Sequence, residues 1–496
     1  MPGGPAASGG GIGGTKKNKL AGVALTAFSA FGGILFGYDT GVINGVKEMK
    51  DWLRTFGRPD PSAPSGYSIS SANESLVVSI LSAGTFFGAL LGAPMADYIG
   101  RKWGIVFACL VFSVGVAMQT AATAIPLFVR ILLRPRGISP KWIRGAIVSM
   151  YQWAITIGLL VAAIVNNFTQ HRDDHSSYRI PIAIQFIWAA ILAGGMLFLP
   201  ESPRWLVKRG RDNDAAVALS RVTGHKRTDP EVDVELEEIR ANLQAELALG
   251  ESSYIDCFRC TKNRIALRTL TGIFIQAWQQ LTGINFIFYY GTTFFKNSGV
   301  SDPFLISIAT NIVNVFMTLP GMWGVERFGR RRLLLVGAAG MCICEYIIAI
   351  VGVTVSVENL AGQKVLIAFV CIYIAFFAAT WGPIAWVITG EIFPLQVRAK
   401  AMSLSVATPY LVNKQPGSAG LEAKVFFIWG STCFCCIVFT YFCVPETKGL
   451  SLEQIDLMYQ NTLPVNSLKY RRRLMSEGTS AADKEAKTEE RSEDKA

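Results

Sequence analysis

Polar and apolar positions alternate along this chain on the scale of a lipid bilayer. Apolar runs of about 20 residues, the length a helix needs to cross roughly 30 Å of hydrocarbon, recur throughout, whereas a soluble core comes in shorter runs. Clear spans fall near 20–45, 75–98, 103–124, 143–166, 180–199, 267–295, 304–324, 333–357, 364–390 and 424–444. Between the fifth and sixth lies a polar stretch, 203–264, where Glu231, Glu235, Glu237 and Glu238 with Leu236, Leu243 and Leu247 give the pattern of amphipathic surface helices. The expected organisation is a disordered start (1–19), two membrane bundles (20–199 and 267–445) joined by linker helices (200–266), and a tail (446–496) whose Glu, Lys and Ser-rich end is too polar to fold alone.

Composition agrees. The 496 residues are 51% hydrophobic and 17% charged, against about 25% charged in soluble domains. The formal charge of +11 implies cytoplasmic loops and no nucleic-acid partner. Lys16 to Lys19, Arg101 with Lys102, Arg204 to Arg211, Arg327 to Arg332 and Arg471 to Arg473 can share one side, which the positive-inside rule makes the cytoplasm, with both termini there. All cysteines except Cys257 and Cys260 fall in apolar runs and read as packing residues, and that lone CxxC lacks the second ligand pair a tetrahedral zinc needs. No metal and no cofactor are expected. The first 19 residues lack a cleavable signal, so the first span anchors the chain.

Two segments of the first half return in the second: Asp97-Tyr-Ile-Gly-Arg-Lys102 as Glu326-Arg-Phe-Gly-Arg-Arg331, and Pro200-Glu201-Ser202 as Pro445-Glu446-Thr447. Repeated membrane halves are typical of secondary transporters, which rock one half against the other around a midplane site. The orientation exposes a parity problem. A crossing must lie between Ala124 and Lys141, yet its apolar stretch, Ile125 to Leu133, makes only about 14 Å of helix. The same deficit recurs over Ala401 to Asn413, about 20 Å. Two crossings are expected to be truncated.

These motifs resemble the major facilitator superfamily, specifically its sugar transporter family and most closely the fungal hexose transporters. The resemblance runs from about Lys19 to Tyr459 and rests on Phe36-Gly-Tyr-Asp-Thr-Gly41, Gly100-Arg-Lys102, Pro200-Glu-Ser-Pro-Arg-Trp205, Gln279-Gln-Leu-Thr-Gly-Ile-Asn285, Gly329-Arg-Arg331, Gly382-Pro-Ile-Ala-Trp386 and Pro445-Glu-Thr-Lys-Gly449, all in order. It implies an all-α membrane protein of twelve helices in two six-helix bundles with cytoplasmic linker helices, so that the short crossings are spans 4 and 11.

A hexose is a ring of hydroxyls with an apolar face, so its site needs amides that donate and accept and an aromatic to cover the ring. Gln152, Gln279, Gln280, Asn285 and Asn314 lie in otherwise apolar spans, where unpaired polar groups are costly, and form the candidate site; the bland alternative is that they bridge helices. On one ideal helix Gln280 and Asn285 point about 140° apart, so both face one ligand only if the span bends or unwinds at Gly283. The resemblance places the same amides against sugar hydroxyls on a broken seventh helix, and adds Trp386 and Phe36 as ring contacts. It also implies that Tyr289 and Tyr290 gate the outer mouth, the alternative being packing.

Asp39 is an acid within an apolar span, either the proton carrier or a carboxylate bonded to its own helix bend. In related symporters the equivalent aspartate pairs with a fourth-helix arginine, for which Arg130 is the substitute here. Arg101, Glu201, Arg204, Glu326, Arg330, Arg331, Glu391, Arg398 and Glu446 sit at cytoplasmic helix ends and resemble the family's intracellular gate, pairing across the halves; the alternative is topology-setting charge. Asn73, in an Asn-Glu-Ser triplet on the outer side, is the expected glycosylation site.

The leading function is uptake of a hexose, with glucose first, across the plasma membrane by a monomer using alternating access and a proton as co-substrate. Facilitated diffusion, a sugar sensor, and an inactive product of the short crossings are the alternatives, and the short stretch of about 37 residues after about 460 speaks against a sensor. An enzyme is not expected: there is no nucleophile and base at useful spacing, no phosphate-cradling glycine loop, and His171, His175 and His225 all lie in polar segments.

Overall fold

A computed structural model describes residues 16–61, 66–70, 73, 76, 77, 84, 88, 95, 98–122, 145–248, 254–300, 302–356, 359–394, 397, 401, 422–474 and 476. Arg130, Arg398 and the two crossings expected to be short, apart from Ala401, lie outside the described residues, as does most of span 75–98.

The N-terminal half contains α1 (Lys16–Val46), the short α2 (Lys50–Phe56), α3 (Arg101–Ala121), α4 (Gly145–Thr169), and α5 (Ser176–Ala183) running on into α6 (Gln185–Phe198). Three linker helices follow, α7 (Pro203–Lys208), α8 (Asp212–Thr223) and α9 (Pro230–Ala248). The C-terminal half comprises α10 (Ile265–Gln280), α11 (Ile284–Asn297), α12 (Pro303–Phe328), α13 (Arg330–Thr354), α14 (Leu360–Ala379), α15 (Trp381–Glu391), α16 (Val425–Cys443) and the terminal α17 (Leu452–Asn461). Among the described residues, seven helices are long and apolar enough to cross a membrane. Phe198, Phe316, Val336, Ile343 and Phe434 stand exposed on them, the apolar outer surface a bilayer would cover.

Two expected spans are interrupted. The seventh breaks between α10 and α11, where Gly283 takes φ +82, a left-handed conformation open to glycine at little cost. A Cβ there would also strike Trp429 at 2.7 Å. The tenth breaks at Thr380 (φ −133, ψ −83), so that α15 starts afresh with Pro383 in its first turn, where its missing N–H costs no helical bond.

Each half has its own core: Tyr38, Val42, Phe112, Ala162 and Tyr178 in the first, Met341, Ile348, Tyr373, Ile388 and Cys433 in the second. The linker builds a third from Leu206, Ala215, Leu219, Val232 and Leu236. In the first half α1 is pressed against α4 by a ladder of glycines. Gly33, Gly37, Gly41 and Gly45 recur every four residues, hence on one helix face, and a Cβ on Gly37 would lie 2.0 Å from the Ile155 carbonyl oxygen. Gly158 answers from α4, with a Cβ 2.2 Å from Ile34 O. Asn166 fastens the far end, its Nδ2 donating to Gly41 O at 3.1 Å and Val42 O at 3.3 Å. The halves meet where α1 packs on α11 and where α4 packs on α12 and α15.

Candidate functional site

The two helix breaks face each other. Gln279, at the end of α10, is buried and donates through Nε2 to Trp381 O at 2.9 Å and Gly382 O at 3.0 Å, binding the end of α10 to the start of α15. Gln152 of α4 reaches the same place from the other half, its Nε2 3.6 Å from where a Gly382 Cβ would stand. Gln280 Nε2 donates to Gln279 Oε1 at 3.5 Å, and Asn285 Nδ2 donates to Gln280 Oε1 across the gap at Gly283. The bend expected at Gly283 is present, and it brings together two amides that a straight helix would separate.

The break is itself braced. Thr282 Oγ1 donates to Gln279 O at 2.7 Å, and the Tyr373 hydroxyl donates to Thr282 O at 2.7 Å. The result is a chain of amides, Asn285 to Gln280 to Gln279, with its last donors spent on backbone and its first members half-exposed. Such amides present donors and acceptors together, which is what a polyhydroxylated ligand requires.

Phe36 on α1 and Trp386 on α15 are half-buried aromatics, Asp39 is buried on α1, and Asn314 is buried on α12 with neither amide atom hydrogen-bonded among the described residues. Gln276, one turn before Gln280 on α10, is fully buried with both amide atoms likewise unpaired; sequence reading passed over it because it lies outside the recognised motif. Beyond these residues, on the side away from the linker, a cavity between the halves is lined by Gly41, Asn44, Phe288, Phe295, Ser307 and Asn311. Tyr289 and Tyr290 stand beside it on α11; Tyr289 is buried, and Tyr290 lies under Lys47, whose Nζ is 3.5 Å from the ring centroid.

At the linker end each half carries the same device. Gly100 (φ +103, ψ 163) opens α3 and Gly329 (φ +90, ψ 166) opens α13, a region of backbone space almost confined to glycine. Glu201 accepts from the amides of Arg101 at 2.9 Å and Lys102 at 3.1 Å; Glu446 accepts from those of Arg330 at 3.0 Å and Arg331 at 3.2 Å. A carboxylate on free helix N–H groups also meets the positive end of the helix dipole. A Cβ on either glycine would sit 2.5 Å from its glutamate.

Arg330 is buried and pairs with Glu391 at 2.8 Å and Glu326 at 3.0 Å, while Arg331 donates to Val465 O at 3.0 Å. The expectation was of pairs between the halves, yet these contacts stay within the C-terminal half. The reason is geometric: Arg330 starts α13, and Glu326 stands in the last turn of α12, four residues earlier across the turn at Gly329. Arg101 donates to Ser202 Oγ at 3.4 Å in its own half, and Arg204 is exposed on α7. Asn73 is partly exposed, its amide bonded to Ser70 O at 2.9 Å.

Residues 25–133 and 136–459 match the family model described as sugar (and other) transporter. The major facilitator-type transporter ecdD of Aspergillus rugulosus is 46% identical, the alignment covering 95% of this chain and 93% of that protein. The "Probable glucose transporter rco-3" of Neurospora crassa is 44% identical over 90% and 82%. The high glucose sensor RGT2 of Saccharomyces cerevisiae is 41% identical over 90% and 61%. Among solved structures, the proton:xylose symporter XylE bound to 6-bromo-6-deoxy-D-glucose superposes with a TM-score of 0.70 at 26% identity, covering 89% of this chain and all of that one. With its interrupted seventh span, its doubled Gly-Arg device and a family match over most of its length, this chain belongs to the sugar transporter family of the major facilitator superfamily, as a multi-pass membrane carrier and not an enzyme.

Proposed function

We propose that the protein carries a hexose, glucose first, across the plasma membrane by alternating access, as a monomer with its linker helices and both termini in the cytoplasm. The observation that carries this reading is the amide chain from Asn285 through Gln280 to Gln279, joined at Gly382 by Gln152 of the other half. A ligand held there touches both halves, which is the condition for its binding to bias their rocking. Gln152, Gln280, Asn285 and Asn314 supply hydrogen bonds in this scheme, and Phe36 and Trp386 cover the ring. Gln279 holds the break in place.

A proton is the proposed co-substrate, with Asp39 as its carrier and Arg130 as its partner. The buried position of Asp39 on α1, within the half that supplies Gln152, supports that role, as does the likeness to a proton:xylose symporter. Tyr289 and Tyr290 form the outer closure, the Arg101, Glu201, Arg204, Glu326, Arg330, Arg331, Glu391, Arg398 and Glu446 group forms the inner one, and Asn73 carries an N-linked glycan.

The test is radiolabelled glucose uptake in cells lacking their own hexose transporters, at two external pH values and with a protonophore. Uptake that collapses with the protonophore, and in Asp39→Asn, supports symport; uptake indifferent to both removes the proton from the scheme. Sugar sensing is the second reading, favoured by the likeness to a glucose sensor. Delivery to the cell surface without uptake would select it.

A further inference from the structure

Where α1 ends, its residues grip α11 of the other half. Glu48 Oε1 accepts from Thr293 Oγ1 at 2.6 Å, and Glu48 Oε2 meets Lys296 Nζ at 3.0 Å. Lys47 lies over the Tyr290 ring, and Asn44 Oδ1 accepts from Thr292 N at 3.4 Å. Tyr290, Thr293 and Lys296 are spaced by three and so form one stripe along α11. Glu48 is 11% exposed and Lys296 37%, so the pair is shielded from water on the Glu48 side and charge-assisted. Burial alone would raise the Glu48 carboxyl, but the charges of Lys47 and Lys296 and the hydrogen bonds from Thr293 and Lys296 hold it below the ordinary carboxylate range.

The other end of α11 holds Asn285, beside the hinge at Gly283. Eleven residues of helix, about 16 Å, therefore connect the amide chain to the Glu48 contact as one stiff rod. A tilt about Gly283 that carries Lys296 away from Glu48 also moves Asn285 relative to Gln280, and opens the inter-half cavity that lies beside the rod.

We propose that Glu48 and Lys296, with Thr293, form a latch that holds the outer entrance shut and so positions Asn285, making them positioning residues of the transport cycle. The latch rests on the carrier reading above. Removing one partner leaves a charge on a face built to pair it, and the loss of a charge-assisted contact shifts the closed-to-open ratio by about tenfold or more.

The experiment places a reporter cysteine at Thr310, which lines the cavity, in the full-length chain in intact cells. A membrane-impermeant maleimide is applied from outside, with surface protein quantified by biotinylation and the parent chain as background. Glu48→Gln and Lys296→Met should each raise the labelling rate about tenfold, their combination should raise it no further, and Thr293→Val should raise it less. The swapped pair Glu48→Lys with Lys296→Glu should return it towards the slow rate. Equal labelling of parent and single variants at matched surface levels overturns the latch, and so does a swapped pair that labels as fast as the singles. If a single variant fails to reach the surface, Thr293→Val and the swapped pair decide alone. Labelling needs no sugar, so a chain that proves not to transport glucose leaves this result standing.

Discussion

Replacing Gly37 by alanine should wedge α1 off α4. A Cβ at this position lies 2.0 Å from Ile155 O, and real Cβ atoms essentially never approach closer than 3.0 Å, so the helices must part by at least about 1 Å. A gap of 0.5–1 Å forfeits roughly a quarter to a half of the dispersion attraction between facing atoms. Because the obstacle is backbone, no rotamer change relieves it, and the cost should fall in the usual overpacking range, about 2 kcal/mol. For a half of this size that is a fall of about 4 to 8 °C in melting temperature. Gly32, one residue away, has nothing within 4 Å of its Cβ, so Gly32→Ala is the matched control and should move the midpoint by less than about 1 °C. The assay is thermal loss of the monodisperse peak of detergent-solubilised protein. Gly158→Ala attacks the same seam, where its Cβ would lie 2.2 Å from Ile34 O, so the double variant should lose less than the two singles together. A Gly37→Ala protein that melts with the Gly32→Ala control refutes the close-packing argument.

Other outcomes follow from the site. Gln279→Leu removes the donors to Trp381 O and Gly382 O and should lower both thermal stability and maximal uptake, whereas Gln280→Leu should leave stability within about 1 °C and raise the uptake KM about tenfold or more. Gly329→Ala drives a Cβ to 2.5 Å from Glu446 and should cost about 1–3 kcal/mol, read as a lowered melting midpoint, with Gly210→Ala, strained but open, costing less. The depressed Glu48 carboxyl contributes closure above its ordinary value and loses it only as pH falls through its folded value. The ratio of Thr310-reporter labelling in Glu48→Gln to that in the parent, taken at the same pH so that the thiolate fraction cancels, should therefore hold steady down to about pH 4.5 and fall only in stronger acid.

Much of this was legible in the residues. Length and hydropathy predict the spans, because a helix in lipid must be apolar for about 20 residues. The break at Gly283 followed from two amides on opposite faces of one span. Gln279 shows the limit: its motif marks it for ligand, yet its donors go to backbone carbonyls, and no sequence pattern records which carbonyls a break in another helix exposes. Glu48 and Lys296 went unread for a different reason. They lie at the polar ends of apolar runs, where charges are ordinary, and their pairing is fixed only by the meeting of α1 and α11 from opposite halves. Arg330 reads as a gate residue, whereas its contacts with Glu326 and Glu391 are local to its half.

The twin glutamate caps have a consequence for biogenesis. Glu201 closes on residues about 100 positions upstream, and Glu446 on residues about 116 upstream, so neither closure needs a group from the other half. As the chain leaves the ribosome, the N-terminal half has its cap as soon as Pro200-Glu201 emerges, before α10 is synthesised. The polar linker then gives the translating ribosome an interval in which that half can settle in the bilayer, and the second half repeats the same closure with Pro445-Glu446. Assembly of the carrier is thereby divided into two short searches in place of one long one.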